Sequence, residues 1–206
     1  MPSTQDQSYT QSLIRKQTAW WKRLFDVQAP YRWNLLRLRP GYTLEIGCGI
    51  GRNLLHLGGH AIGVDHNVDS VAYARSRGLD ALTQEEFNLR SIENPMLFDS
   101  LLLSHVLEHM TRIAAVELIR TYLAHLKTAG RLIMITPQES GHTSDRSHVE
   151  FMDFAALRAI QADLGFQVTA QYSFPFPRPA GLVFRYNEFV SVGRRALEGL
   201  IPPSAP

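Results

Sequence analysis

Two acids and three glycines carry the first chemistry in this chain. Glu45-Ile46-Gly47-Cys48-Gly49-Ile50-Gly51 is an apolar run ending in a glycine turn. Glycine reaches backbone angles closed to other residues and lets a ligand approach the main chain. From about Arg52 a helix is expected, with unpaired N–H groups at its start. The spacing is G-x-G-x-G, one residue shorter than the dinucleotide fingerprint G-x-G-x-x-G. An acid two residues before the first glycine repels a pyrophosphate and suits an ammonium group. Asp65 ends the next apolar run, His60 to Val64. An acid at the end of a second strand is placed to accept hydrogen bonds from ribose hydroxyls. A nucleoside with a cationic amino-acid tail satisfies both acids.

S-adenosylmethionine is such a molecule. The Glu45–Gly51 stretch together with Val64-Asp65 resembles motifs I and II of the class I S-adenosylmethionine-dependent methyltransferases. The resemblance runs from about Tyr42 to Arg195 and is nearest to the small-molecule type 11/12 domains. It implies an α/β, Rossmann-like fold: a mostly parallel sheet with a closing antiparallel hairpin and helices on both faces. It implies that Glu45, Gly47, Cys48, Gly49, Gly51 and Asn53 form the first part of the cofactor site, with Asp65 and His66 beside them. It also implies that a loop at Gln84–Phe87 bears on the adenine, through Glu86 and Phe87, and that Ser104 lines the site.

A second group of residues follows the apolar run Phe98 to Ser104, whose continuous hydrophobicity marks a strand buried on both faces. His105-Val106-Leu107-Glu108-His109 comes directly after it, at the strand end where open α/β sheets bind ligands. Methyl transfer from a sulfonium needs in-line placement of the acceptor and sometimes removal of a proton. An imidazole can take a proton near neutral pH, which makes His105 and His109 the candidate catalytic residues. A rival reading makes His105, Glu108, His109 and the later His148 metal ligands, with the first three on one helical face. That spacing is similar to the metal-dependent RNA 2′-O-methyltransferases, except that His105 replaces their first glutamate. Leu-Glu-His is also widespread in methyltransferases without a metal, so no metal is expected. Ser104-His105-Val106-Leu107 lacks the Asn/Asp-Pro-Pro-Tyr/Phe tetrad of amino methylases acting on DNA bases. A further alternative is a regulatory subunit that binds the cofactor without catalysis.

These residues need elements to position them. The pattern predicts strands at Tyr42–Ile46, His60–Val64, Asp80–Thr83, Phe98–Ser104, Arg131–Thr136, Gln167–Ser173 and Leu182–Gly193. Lys127–Gly130 reads as a turn and Pro137–His148 as a polar loop. Asn67 is a cap for a helix closed by Gly78, and Asp153 caps a helix from Phe154 to Leu164. Ahead of the first strand, Gln11 to Val27 has helical spacing and Pro30 breaks it; a shorter helical piece follows over Tyr31–Leu38. This N-terminal segment (residues 1–40) is aromatic and basic and is expected to form a lid over the acceptor. The methyltransferase domain is expected over 41–198 and a disordered tail over 199–206. Phe174 to Gly181 is Pro-rich and apolar, which with Trp20-Trp21 points to a partly apolar small-molecule acceptor.

Composition agrees. The chain has 206 residues, 45% apolar and 19% charged, with a net charge of +2 and a sequence pI near 8.8. That length holds one core, and that charge is too mild to argue for nucleic acid. A single cysteine, Cys48, forms no disulfide framework, and no 18-residue apolar run or leader is seen. A cytoplasmic monomer or homodimer is the expectation.

Overall fold

The computed structural model describes residues 27–195. The expected helix over Gln11–Val27, Trp20-Trp21 and the tail over 199–206 lie outside the described residues, apart from Val27 itself. Chain order is α1 (Ala29–Arg37), β1 (Thr43–Ile46), α2 (Arg52–Leu57), β2 (Ala61–Val64), α3 (Val68–Ser76), β3 (Ala81–Leu82), α4 (Gln84–Glu93) and β4 (Phe98–Ser104). There follow a 3-10 turn at Leu107–His109, α5 (Arg112–Tyr122), a second at Leu123–His125, β5 (Leu126–Pro137), α6 (Glu139–His142), α7 (Phe154–Asp163) and β6 (Phe166–Phe174). A 3-10 turn at Arg178–Leu182 and β7 (Glu188–Arg195) complete it.

The seven strands form one sheet in the order β3-β2-β1-β4-β5-β7-β6. The first five run parallel, and β7 is antiparallel to both β5 and β6. The chain order reverses at β1 and β4, and a crevice forms at the carboxyl ends of those strands. Alternate side chains of each strand serve opposite faces. Leu101 and Leu103 join a core with Phe87, Val116, Ile119 and Leu157. Leu102 joins a second core with Leu35, Leu54, Val71 and Val190. Each face is therefore closed by helices, as the resemblance implies, and β4 is sealed on both sides with Leu101, Leu102 and Leu103 fully buried.

Local chemistry sets the boundaries. Asn67 caps α3 by accepting Ser70 N–H at 2.9 Å. Asp153 caps α7 through the N–H groups of Ala155 and Ala156. Pro30 lies in the first turn of α1, where its missing N–H costs nothing.

Four expectations are corrected. Gln84–Phe87 is no loop but the first turn of α4, because Thr83 and Glu86 form a reciprocal capping box. Lys127–Gly130 is no turn between elements but an irregular part of β5, where the register against β4 shifts between Phe98 and Ser100. Pro137–His148 contains the short helix α6. The last strand starts at Glu188 rather than Leu182, since Arg178–Leu182 winds into a 3-10 turn.

Gly47 shows how tightly the crevice floor is built. It has φ +74°, and an added Cβ would meet Val106 Cγ2 at 2.5 Å. Gly47→Ala should destabilise the fold by about 2–4 kcal/mol, combining left-handed strain with overpacking. Val106→Ala in the same chain should return the packing part only. Urea unfolding of both single variants and the double variant measures the coupling; strictly additive losses would show that the two residues do not touch.

Candidate functional site

The candidate residues converge on one edge of the sheet. The glycine turn follows β1, Asp65 follows β2, His105 follows β4, Gln138 follows β5 and Glu188 opens the antiparallel β7. Gly47, Gly49 and Gly51 all have left-handed φ, at +74°, +52° and +78°. Gly47 and Cys48 donate to Val64 O at 2.7 and 3.1 Å, which ties the turn to the end of β2.

Asp65 completes that tie. One carboxylate oxygen accepts Gly49 N–H at 2.7 Å and the other accepts Asn67 N–H at 2.8 Å. A carboxylate offers about four lone-pair sites, so acceptor capacity remains for hydroxyl donors. His66, next in the chain, is about half exposed, with Nδ1 3.6 Å from Asp65. Ser104, the last residue of β4, is buried. Cys48 packs its side chain toward Gly63 of β2, where an added Cβ would lie 2.6 Å from the sulfur. Burial pushes its thiol pKa up, with the charges of Glu45 and Asp65 adding to the shift. It is a packing residue that can offer a ligand only its backbone.

Glu45 lies under the turn, 2% exposed. Asn53 of α2 donates to its Oε1 at 2.6 Å, while Oε2 has no hydrogen-bond partner among the described residues. Burial raises its pKa to about 8, against the lowering effects of Asn53 and Arg52. A buried carboxyl with an orphaned oxygen is costly, and an incoming ammonium donor satisfies it.

Glu86 and Phe87 have other tasks. Glu86 accepts Thr83 N–H and pairs with Arg75 across 3.0 and 2.5 Å. Arg75 holds its carboxyl down near 2. Phe87 is 1% exposed and packs against Tyr122 and His125. On that geometry Glu86 is engaged in a helix cap and Phe87 in the core.

His105 holds a left-handed φ of +59°, uncommon for a residue with a side chain. Its Nε2 lies 2.8 Å from Glu188 and its Nδ1 3.3 Å from Glu108. Burial pulls the imidazole pKa down, but the close carboxylates of Glu108 and Glu188, the latter hydrogen-bonded at 2.8 Å, outweigh it and lift the group to about 9. An imidazole that already holds its proton at neutral pH cannot take another. In this structure His105 sits as a cation clamped between two carboxylates. The helical face expected for His105, Glu108 and His109 is also absent, because only Leu107–His109 is helical. His109 Nδ1 lies 3.3 Å from Ser147 O and 3.2 Å from Ser147 Oγ.

Sequence reasoning missed Glu188 and the network that fixes it. Gln138, fully buried, donates to Glu188 O at 2.9 Å and to Ser173 Oγ at 2.8 Å. Asn187 donates to Gln138 Oε1 at 3.0 Å and accepts Phe176 N–H at 3.0 Å. The one available signal was an acid leading the apolar run Phe189-Val190. Above the same edge stands an aromatic rim. Tyr31 of α1 packs edge-on against Phe174 and donates to Tyr186 O, and Phe176, Phe184 and Tyr186 contact in sequence.

Both raised groups bind a proton more tightly folded than unfolded, so both stabilise the apo fold at low pH. The Glu45 contribution is full below about pH 4.5 and is lost as pH rises through about 8. The His105 contribution is full below about pH 6.5 and is lost as pH rises through about 9. Apo stability should fall across that whole range. Glu45→Gln should flatten the lower part and leave the decline toward pH 9. A urea-midpoint series that is flat in the parent, or unchanged in slope by Glu45→Gln, would refute the assignment.

Comparison with known proteins accords with this geometry. The methyltransferase domain family matches residues 19–171. The ubiquinone biosynthesis O-methyltransferase of Xylella fastidiosa strain M23 is 28% identical over 160 residues, and the match covers 66% of this chain and 64% of that protein. This chain thus spans somewhat under two thirds of that relative. An S-adenosylmethionine-dependent methyltransferase from Archaeoglobus fulgidus shares the fold at TM-score 0.63 and 16% identity, over 85% of this chain and 98% of that one. The magnesium protoporphyrin IX methyltransferase of Synechocystis PCC 6803 shares it at TM-score 0.59 and 16% identity, over 90% of this chain and 100% of that one. Among the described residues no helix is long and apolar enough to cross a membrane. With a reversed-order sheet, a left-handed glycine turn and two buried acids at its edge, this chain belongs to the methyltransferase domain family and has the fold of the class I S-adenosylmethionine-dependent enzymes.

Proposed function

We propose that this methyltransferase uses S-adenosylmethionine to methylate an oxygen of a small, partly apolar acceptor. The observation that carries the cofactor assignment is the orphaned oxygen of Glu45 beneath three left-handed glycines. Glu45 takes the ammonium of the amino-acid tail. Asp65 takes ribose hydroxyls on its remaining lone pairs while its hydrogen bonds to Gly49 and Asn67 hold the turn in shape. Gly47, Gly49 and Gly51 give the close approach, with Asn53 orienting Glu45 and with Ser104 and His66 at the margins. The cofactor supplies a methyl group already activated by a positive sulfur.

Support for the acceptor comes from the opposite wall. The aromatic rim of Tyr31, Phe176 and Tyr186 gives flat apolar surface beside Glu188, and Phe176 and Tyr186 are about half exposed. The relative in Xylella fastidiosa is named an O-methyltransferase, which favours oxygen. His105, held as a cation between two carboxylates, places charge at the acceptor and keeps Glu108 and Glu188 in position. The chain ahead of α1 is proposed as the lid. It leads into a helix that Tyr31 and Trp33 dock on Phe174 of this rim.

The test is turnover. The full chain with S-adenosylmethionine and a panel of small phenols should yield S-adenosylhomocysteine. Asp65→Ala should weaken cofactor binding by about 1–3 kcal/mol, because it leaves donors unpaired. Unchanged affinity in calorimetry, or tighter binding of NAD than of S-adenosylmethionine, would sink the cofactor assignment. The pH profile separates the two roles of His105. A clamped cation predicts turnover that declines as pH passes about 9. A free base would instead bring turnover up to a plateau there.

A further inference from the structure

Glu108 is only partly satisfied by its ion pair with His105. It is 1% exposed, and neither carboxylate oxygen has a hydrogen-bond partner among the described residues. The nearest cationic nitrogen, His105 Nδ1, lies 3.3 Å from Oε1 without making a satisfactory bond. A buried carboxylate left in that state is costly. It stands beside two imidazoles, His109 and His148, and one ligand atom from each of the three lies within 4.8 Å of the others.

Both rings are set for ligation. His109 Nδ1 lies 3.3 Å from Ser147 O and 3.2 Å from Ser147 Oγ, whose own hydrogen goes to Asp145 at 2.7 Å, and His148 Nδ1 lies 2.7 Å from His142 O. A backbone carbonyl can only accept, so each Nδ1 carries the hydrogen and each Nε2 keeps a lone pair. Fixing a tautomer through the remote nitrogen is how metal-binding histidines are usually oriented. The loop is pinned as well, since Val149 N–H donates to Glu108 O at 2.7 Å and delivers His148 to the 3-10 turn. The site borders the cofactor turn, because Val106, two residues before Glu108, covers Gly47.

We propose that Glu108, His109 and His148 form a binding site for one divalent transition-metal ion at the acceptor end of the sheet. Two imidazoles and one carboxylate suit zinc, manganese, iron or cobalt, and three protein ligands leave positions for water or an acceptor oxygen. His105 is not a ligand in this arrangement. The use of the metal to bind the acceptor rests on the methyl-transfer reading above; the site itself does not.

The experiment needs neither cofactor nor acceptor. The full chain is stripped with a chelator, desalted and titrated with Co²⁺ alone by absorption and with Zn²⁺ alone by calorimetry. One equivalent should bind, with visible cobalt bands, and should raise the unfolding temperature. Glu108→Gln and His148→Ala should each weaken binding by at least about 10–100-fold and remove the thermal shift. His148 lies in a loop, so its variant serves if the buried Glu108 variant fails to fold. No binding to the parent at about millimolar metal, or binding unchanged in a folded variant, overturns the site. In a working methyl-transfer assay, chelator should lower turnover and added metal should restore it. Turnover indifferent to chelator, with metal binding intact, overturns the acceptor role alone. Metal binding without any methyl transfer would leave the site standing and remove the proposed function.

Discussion

The carboxylate of Asp65 is the constraint on which the cofactor side depends. It joins the ends of two parallel strands by accepting Gly49 N–H from one and Asn67 N–H from the other. The glycine turn takes its left-handed course under that tether, and Asn67, fixed by the same carboxylate, starts α3. Beneath the turn, Glu45 is held by Asn53 from α2. Two acids so close, one buried with an unmatched oxygen, are unfavourable in the absence of a cation. On the proposed reading, a ligand with an ammonium group relieves that cost, which makes it a source of selectivity.

A second group of carboxylates organises the wall proposed for the acceptor. Glu188 is brought to the parallel edge because β7 inserts antiparallel between β5 and β6. Gln138, Ser173 and Asn187 lock that junction with hydrogen bonds made entirely among buried or half-buried side chains. His105 meets Glu188 only because its backbone takes a left-handed turn after β4. The strain is held by His105 N–H donating to Ile135 O at 2.9 Å. The same turn leaves Glu108 between His105 on one side and His109 and His148 on the other. One local backbone choice thus makes Glu108 common to a cation clamp and a group of metal-type ligands.

The cofactor half was legible in the sequence because its signals are local. Gly47 to Gly51 and Val64-Asp65 need only strand, turn and strand to become neighbours. The acceptor half was not, because its contacts are made by pairing across distant segments. Nothing near Glu188 in the sequence says that it faces His105, and nothing near His148 says that it meets His109. The loop expected at Gln84–Phe87 failed for another reason. Thr83 followed three residues later by Glu86 is a capping-box signature, and it outweighs a loop role carried over from resemblance. The late start of β7 follows from the same kind of local chemistry. Pro179 and Gly181 let Arg178–Leu182 wind tightly, so the strand begins only where Gln138 pairs with the backbone of Glu188.

The central claim is that an ammonium group neutralises Glu45. Calorimetric titration with S-adenosylmethionine at pH 6.5 in buffers of different ionisation enthalpy tests it most directly. At that pH a carboxyl with a pKa of about 8 is protonated in the apo protein, while an α-amino group is almost fully charged. Binding should release about one proton per site as Glu45 ionises against the ammonium. A heat of binding that is the same in every buffer, with no proton released, would contradict the account.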